Sequence, residues 1–187
     1  MIYVSEDIWE FDLEAGLKDI SEQRREQALK FKFEQGQRLC VLAYQLLKEG
    51  LQKEYGITEK PIFEYSEHGK PVIVGLPHIH FNFSHCREAV VCVVSDHPVG
   101  VDVESVREYK ESLVNYTMND DEVQQITRSD NPALMFTKLW TRKEALLKLT
   151  GEGIGGRSMK EVLTGNEEIE TVVCEEKNYV YSVVYGK

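Results

Sequence analysis

The sequence lacks long apolar runs and is short of positive charge. No stretch approaches the roughly 20 apolar residues that a membrane-spanning helix needs, so we expect no membrane association. The first twelve residues, MIYVSEDIWEFD, have no basic region followed by an apolar core, so we predict no signal peptide and a cytoplasmic protein. Lys and Arg number 22 against 32 Asp and Glu, a net charge of −10. This balance disfavours a general nucleic-acid binder, and any bound phosphate needs a local basic cluster.

Several motifs of metal and nucleotide sites are also missing. The four cysteines, Cys40, Cys86, Cys92 and Cys174, form no C-x-x-C pair, so we expect free thiols and no structural zinc site. The chain has no P-loop and no G-x-G-x-x-G motif. The glycine-rich run at 151–156 follows a predicted helix instead of opening one, so we interpret it as a helix stop and a loop.

The order of predicted elements favours an α+β fold. The length of 187 residues suits one domain or two small ones. Strands and helices alternate without a regular βαβ rhythm. We therefore expect two small lobes, 1–97 and 98–187, that meet near residues 95–105. The predicted strands are MIYVSE, HIHFNFS, EAVVCVV, VGVDVESV and a C-terminal hairpin that turns near Lys177 and Asn178.

Two long regions have helical periodicity. Residues 20–50 are predicted to be helical, with Ser21 as the capping residue. We expect Gly50 to end the helix and Gly36 to be able to split it. The predicted buried face comprises Leu39, Leu42, Ala43, Leu46 and Leu47.

The second helical region is the clearest helix in the sequence. Asp130 or Asn131 can cap it, Pro132 fits its first turn, and Gly151 stops it. Between the two helical regions, EAVVCVV is apolar on both faces and therefore a central strand, and the turn SDHP predicts a hairpin from it into VGVDVESV.

Two acids stand one residue apart in the run VGVDVESV. On a strand, the valines point to one face, and Gly100, Asp102 and Glu104 point to the other. Paired carboxylates suit a hard divalent cation such as Mg²⁺, and Gly100 would leave space for a ligand near the backbone. The alternative is an exposed sheet face whose acids are solvated.

A polar stripe runs along the second helix. Thr137, Thr141, Glu144 and Lys148 are spaced for one face, and Lys143, one residue away, is expected to be solvated or to face a phosphate. Glu144 and Lys148 can be a surface salt bridge of a few tenths of a kcal/mol. The alternative is that Glu144 joins the strand acids at an ion. The apolar remainder, predicted to face the core, is Phe136, Leu139, Trp140, Leu146 and Leu147.

Other polar groups are candidates for anion binding. Ser84 and His85 follow a strand at a turn. They are not expected to act as nucleophile and base, because neighbouring residues on a strand point apart and no G-x-S-x-G elbow is present. We expect them instead to form hydrogen bonds with a phosphate. Basic residues also crowd the first helical region, where a solvated helix face is the alternative: Arg24, Arg25, Lys30, Lys32 and Arg38. Lys70 lies in the rigid turn Gly-Lys-Pro.

The order of these motifs resembles one family. GKP, FNFSHC, VGVDVESV and LWTRKEALLKLTGEGI, between about residues 69 and 154, look like a 4′-phosphopantetheinyl transferase of the surfactin-synthetase-activating type. The resemblance implies two pseudo-symmetric α+β lobes with coenzyme A between them, and a monomer. It also implies that a serine of an apo acyl or peptidyl carrier protein attacks the β-phosphate of coenzyme A, with Mg²⁺ bound, and that adenosine 3′,5′-bisphosphate leaves.

The resemblance also implies roles for single residues. The metal ligands of the family fall on Asp102, Glu104 and Glu144, and the general base falls on Glu144. Lys148 would stabilise the phosphate or protonate the leaving group. The contacts with coenzyme A fall on Lys70, Ser84 and His85, and with looser spacing on Arg24 and Arg38 for the 3′-phosphate.

The chain departs from the family pattern in places. Gln27 lies where a basic residue often helps to hold the 3′-phosphate, and Cys86 follows His85 where a small hydroxyl residue is common. The chain also stops soon after its last predicted strand, where many relatives continue, so the resemblance does not define the carrier-docking surface. The sequence does not indicate which carrier protein or pathway is served. Two other hypotheses remain at this point: a Mg²⁺-dependent hydrolase of nucleotide pyrophosphates, and a non-catalytic relative that only binds carrier proteins.

Overall fold

The fold mixes helices with antiparallel sheets, as predicted. The structure is a computed structural model that describes residues 1–67, 69–151, 158–163, 165 and 167–187. Its elements, in chain order, are β1 (Ile2–Ser5), α1 (Leu13–Asp19), α2 (Glu22–Leu29), α3 (Glu34–Tyr55), β2 (Phe63–Tyr65), β3 (Pro71–Ile73), β4 (His80–His85), β5 (Val90–Ser95), β6 (Val99–Ser105), α4 (Glu111–Thr117), α5 (Asp120–Arg128), α6 (Pro132–Thr150), a 3₁₀ turn (Met159–Glu161), β7 (Ile169–Cys174) and β8 (Tyr179–Tyr185).

Two three-stranded sheets share one strand order. The first is β1-β5-β4 and the second is β6-β8-β7, and β2 and β3 form a separate ribbon. In each sheet the strand that comes last along the chain lies in the middle. In the sequence, a long helix, α3 or α6, follows the first strand of the sheet and precedes the other two. The proposed boundary between residues 97 and 98 falls in the connection from β5 to β6. The predicted pseudo-symmetry of two lobes stays a prediction.

The predicted hairpin between β5 and β6 is wrong. Both edges of β5 pair with other strands, β1 and β4, so no edge is left for β6. β6 pairs with β8 instead. The two strands are neighbours through side chains, because Val91 and Val93 of β5 pack against Val99, Val101 and Val103 of β6 in one buried cluster. β5 is therefore buried on both faces and central, as its composition predicted.

The first helical region consists of two helices. Ser21 caps α2 by accepting a hydrogen bond from the backbone N–H of Arg24, as predicted. The chain breaks at residues 30–33, before Gly36, and all five residues of the predicted buried face of α3 are buried.

The predicted helix end at Gly50 is wrong. α3 continues to Tyr55, and Gly56 ends it with φ of 68°. Gly50 instead allows close packing, because a Cβ there would lie 2.6 Å from Cγ2 of Val94 and 2.9 Å from Cε2 of Tyr3.

The second long helix follows its local signals. Asn131 caps α6 by accepting a hydrogen bond from the backbone N–H of Leu134, Pro132 occupies the first turn, and Gly151 ends the helix with φ of 76°. The remainder of the glycine-rich run, 152–156, lies outside the described residues. Residues 106–130, for which the sequence pattern predicts no element, contain α4 and α5. In the described part of the chain, no helix is both long and apolar enough to cross a membrane.

Candidate active site

The acids of β6 face α6. Val99, Val101 and Val103 are fully buried against the first sheet, so the alternating residues point to the helix. The prediction that Gly100 leaves space for a ligand is wrong. A Cβ there would clash with the carbonyl oxygen of Ala145 and would lie 2.5 Å from the backbone nitrogen of Leu149. Gly100 therefore lets the backbone of α6 lie directly on β6, which brings the helix side chains to Asp102.

Asp102 is buried and paired with Lys148. The ammonium of Lys148 donates to Oδ1 of Asp102 at 2.6 Å and to Oγ of Ser84 at 2.9 Å. Ser84 in turn donates to the same Oδ1 at 3.0 Å. The hypothesis of a Glu144–Lys148 surface pair is thus not what the structure has, since Lys148 reaches across to the strand. Ser84 comes from β4, so this cluster joins the two halves of the chain.

Glu144 lies close enough to Asp102 for their charges to interact. Burial, and then the charges of Asp102 and Glu104, raise the pKa of Glu144, while Lys148 lowers it. Burial and the charge of Asp102 likewise raise the pKa of Glu104, while Arg107, Lys148 and a hydrogen bond with Trp140 lower it. The charges of the three predicted acids therefore interact with one another and with that of Lys148.

Two buried oxygens of these acids suit a hard cation. Oδ2 of Asp102 and Oε1 of Glu144 have no hydrogen-bond partner among the described residues. Buried polar atoms are normally satisfied, and carboxylate oxygens are the donors that Mg²⁺ prefers. Within the described ranges, however, no three or more His, Cys, Asp or Glu side chains are grouped closely enough to hold an ion. The donor chemistry fits a divalent cation, and the convergence of all three acids on one ion stays a prediction.

The polar stripe of α6 faces the protein, not the solvent. Thr137 and Thr141 are buried, and Oγ1 of Thr141 shares a hydrogen bond of 2.8 Å with Oγ of Ser182 on β8. Of the predicted apolar positions, Phe136, Leu139 and Leu147 are buried, and Trp140 and Leu146 are partly buried.

The prediction that Lys143 is solvated or faces a phosphate is wrong. Lys143 is fully buried and donates to Oε2 of Glu122 at 2.7 Å and to the carbonyls of Thr117 at 3.0 Å and Met159 at 2.6 Å. Burial lowers the pKa of Lys143, and Glu122 raises it. Lys143 thus ties α6 to α4, α5 and the 3₁₀ turn.

His85 lies exposed at the end of β4, next to this cluster. Desolvation by the surrounding atoms lowers its pKa, and the charges of Lys148 and Arg24 lower it further, although Asp102 raises it. A neutral imidazole at neutral pH follows, which can donate one hydrogen bond to an anion.

Lys70 lies beside the end of α6. Its ammonium donates to the carbonyl of Leu149 at 2.9 Å and to that of Val99 at 3.2 Å, and burial lowers its pKa. It borders a recess of about 220 Å³ that Glu144 and Lys148 also line. The structure therefore brings Lys70, Ser84, Asp102, Glu144 and Lys148 to one place.

The two predicted arginines bond within the first half of the chain. The guanidinium of Arg24 is buried, donates twice to the carbonyl of Cys40 and lies 5.0 Å from the ring of Phe83. Arg38 pairs with Glu34 at 2.7 Å and donates to the carbonyl of Phe11 at 2.9 Å. Their role toward a 3′-phosphate stays a prediction. Lys30 and Lys32, in the same region, are exposed.

Sequence reasoning missed Asn82. Its Oδ1 accepts a hydrogen bond of 2.9 Å from the backbone N–H of Val101, next to Asp102. The available signal was the alternation in β4, which puts Asn82 and Ser84 on one face.

Comparison with known proteins finds one family of relatives. Residues 98–182 match the family model described as the 4′-phosphopantetheinyl transferase superfamily. The chain is 34% identical over 138 residues to the 4′-phosphopantetheinyl transferase psf-1 of Bacillus pumilus, over 72% of this chain and 59% of that relative. It is 29% identical over 150 residues to a 4′-phosphopantetheinyl transferase of Bacillus subtilis, over 76% and 67%. It is 26% identical over 156 residues to the 4′-phosphopantetheinyl transferase Sfp of Bacillus subtilis strain 168, over 82% and 70%.

The family match covers β6 and α6, which carry the three acids and Lys148, and it continues into β8. The relatives extend the similarity into the first half of the chain, although the chain spans only 59% of the length of the Bacillus pumilus relative. The resemblance predicted from the motifs is thus confirmed: residues 98–182 match the 4′-phosphopantetheinyl transferase superfamily, and the chain is similar to several 4′-phosphopantetheinyl transferases.

Proposed function

We propose that this protein transfers the 4′-phosphopantetheine group of coenzyme A to a serine of an apo acyl or peptidyl carrier protein and releases adenosine 3′,5′-bisphosphate. The observation that carries the proposal is the cluster at the junction of the halves, where Lys148 bonds both Asp102 and Ser84 and the charge of Glu144 interacts with Asp102. The names of the relatives, all 4′-phosphopantetheinyl transferases, support the same reaction.

Asp102, Glu104 and Glu144 would hold Mg²⁺ in this proposal. Two of their buried oxygens have no hydrogen-bond partner among the described residues, which fits a cation ligand set. The ion would supply positive charge against the pyrophosphate of coenzyme A as negative charge develops on the leaving group.

Glu144 is suited to accept the proton of the carrier serine. Burial and the charges of Asp102 and Glu104 raise its pKa, which makes it a better base than an ordinary surface carboxylate. The serine oxygen bonds to the β-phosphorus, the bond from that phosphorus to the bridging oxygen breaks, and the bridging oxygen leaves with adenosine 3′,5′-bisphosphate. The serine proton passes to Glu144, directly or through a water molecule.

Basic and hydroxyl groups would hold the phosphates. Lys148 already lies between the two halves and would stabilise the departing phosphate or protonate it. Ser84, His85 and Lys70 border the same junction and would contact coenzyme A, with Arg24 and Arg38 farther along the first half. By the same resemblance, we infer that the enzyme acts as a monomer in the cytoplasm. We also infer that it does not bind nucleic acid, because its net charge is −10.

The test is incubation of the protein with coenzyme A, Mg²⁺ and an apo carrier protein, read by mass spectrometry. We expect the carrier to gain the mass of one phosphopantetheine group. Asp102→Ala should abolish the gain, and Asp7→Ala, which removes an exposed acid of the first half, should leave it unchanged.

Other outcomes would reject the transferase. Cleavage of coenzyme A without carrier modification would favour the hydrolase. If calorimetry detected binding of the carrier but no Mg²⁺-dependent binding of coenzyme A, the protein would be a non-catalytic carrier-binding relative.

A further inference from the structure

The two sheets of the protein meet along two strand edges that do not pair. β6 is an edge strand of the second sheet and β4 is an edge strand of the first. A strand directs successive N–H groups to alternate edges, so an edge strand keeps unpaired donors on its open side. When such a donor is buried, it needs another acceptor.

Side chains of β4 supply the contacts along this seam. Oδ1 of Asn82 accepts the backbone N–H of Val101 at 2.9 Å, and Oγ of Ser84 donates to Oδ1 of Asp102 at 3.0 Å. Asn82 and Ser84 are two residues apart and buried, with 7% and 6% of their surface exposed. One face of β4 therefore holds two consecutive residues of β6, the first through its backbone and the second through its carboxylate.

We propose that Asn82 is a positioning residue that sets the place of the Asp102 carboxylate from the opposite half of the chain. Gly100 fixes β6 against α6 on one side of Asp102, and Val101 is fixed by Asn82 at the adjoining peptide. Asn82 also lines the recess that Glu144 and Lys148 border. Because Asp102 and Glu144 come from different elements, a small shift of β6 changes the distance between their carboxylates.

The inference rests on the proposed function for the ion that these acids would hold, but its test does not need turnover. Asn82→Leu keeps the approximate volume and removes the acceptor, which leaves the N–H of Val101 unpaired. Asn82→Asp keeps an acceptor oxygen in the same position. The matched control is Gln23→Leu, since the amide of Gln23 bonds both the N–H and the carbonyl of Phe63, which belongs to the separate ribbon of β2 and β3.

The measurement is Mn²⁺ binding to each folded variant, followed by electron paramagnetic resonance without coenzyme A or carrier. We expect Asn82→Leu to weaken binding by at least about tenfold, the usual loss when a partner behind a metal ligand is removed. Asn82→Asp should keep the affinity within a few-fold or improve it, because it adds negative charge. Gln23→Leu should bind Mn²⁺ like the wild type, although both Leu variants lower the melting temperature by about 2–4 °C.

Hydrogen exchange gives a second readout that does not depend on the ion. The amide of Val101 should exchange faster in Asn82→Leu and stay protected in Asn82→Asp. The proposal is overturned if Asn82→Leu binds Mn²⁺ like the wild type, or if Asn82→Asp loses as much affinity as Asn82→Leu. If the wild-type protein modifies a carrier and Asn82→Leu binds Mn²⁺ as tightly as the wild type, this inference alone is rejected. Failure of the wild type both to bind Mn²⁺ and to modify a carrier would reject it together with the proposed function.

Discussion

The two halves of the chain have the same strand order and pack different chemistry into it. In the first half, α3 covers its sheet with apolar side chains, and Leu39, Leu42, Leu46 and Leu47 lie in one buried cluster with Val90, Cys92 and Val94 of β5. In the second half, α6 meets its sheet with polar groups as well, including Thr141 against Ser182 and Lys148 against Asp102. Buried polar groups are tolerated only when they have partners. The packing of α6 on its sheet therefore depends on specific hydrogen bonds and ion pairs, whereas the packing of α3 depends on the apolar surface area that it buries.

Charge follows the same division. The ion pairs on the helices of the first half are at least partly exposed, as in Lys48–Asp19 and Lys53–Glu49. The second half contains a buried pair, Lys143–Glu122, and a largely buried one, Lys148–Asp102. Exposed pairs contribute little to stability, whereas loss of one partner of a buried pair leaves an uncompensated charge. Substitutions of the same kind should therefore cost much more in the second half.

The largest contrast is expected from two lysines. Lys143→Met removes the ammonium that pairs with the buried Glu122, and two carbonyls lose their donor. We expect a loss of about 3–5 kcal/mol in the free energy of unfolding, measured by urea denaturation. Lys48→Met, which breaks the bonds of an ammonium to Asp19, should cost about 1 kcal/mol or less.

A double variant sharpens this result. Lys143→Met combined with Glu122→Leu removes both charges and should recover more than half of the loss, because no unpaired charge remains. If Lys143→Met and Lys48→Met cost the same, the division between the halves would not hold.

Two glycines test the packing of the helices on their sheets. Gly100→Ala places a methyl group against the backbone of α6, which cannot move away without displacing the helix. We expect a loss of about 3 kcal/mol and weaker carrier modification. Gly50→Ala meets only the side chains of Val94 and Tyr3, and alanine favours a helix, so its net cost should be about 1 kcal/mol. Thermal unfolding of both variants would measure the difference, and equal melting temperatures would contradict it.

The accuracy of the sequence predictions also differs with the range of the interactions. Asn131, Pro132 and Gly151 define α6 correctly because caps and stops act within a few residues. The sequence also predicted correctly that the valines and the acids of β6 point to opposite faces, because the alternation of side chains along a strand is local. The hairpin from β5 to β6 was wrong because the edges of β5 are taken by β1, from the start of the chain, and by β4.

The errors at the site have the same origin. The burial of Lys143 depends on Glu122, which lies on α5, an element that the polar composition of residues 106–130 did not predict. The close approach at Gly100 depends on α6, some forty-five residues later along the chain. The importance of Asn82 depends on an open strand edge that no single stretch of sequence reveals. Local patterns thus predicted the two long helices and the main strands that carry the candidate residues, but not the partners that those residues have.

The smallest contrast is expected from one carboxylate on each long helix, Glu144 and Glu49. Burial and the charges of Asp102 and Glu104 raise the pKa of Glu144 in the folded state, despite the opposing charge of Lys148. The folded protein therefore binds this proton more tightly than the unfolded chain, and stability from this group falls as pH rises from about 4.3 through the raised pKa. Glu144→Gln removes the effect, so its free energy of unfolding should equal that of the wild type near pH 4 and exceed it at pH 7.

Urea denaturation at both pH values would measure this difference, and Glu49→Gln is the control on α3. Glu49 pairs with Lys53 on the surface, so its loss should lower stability at pH 7 by roughly 0.3–0.5 kcal/mol, opposite in sign. Carrier modification by Glu144→Gln should fall by about 10²–10³-fold. If Glu144→Gln is more stable and less active than the wild type, the charge of Glu144 destabilises the fold but is needed for the reaction. Parallel stability curves for wild type and Glu144→Gln would mean that this charge costs the fold nothing.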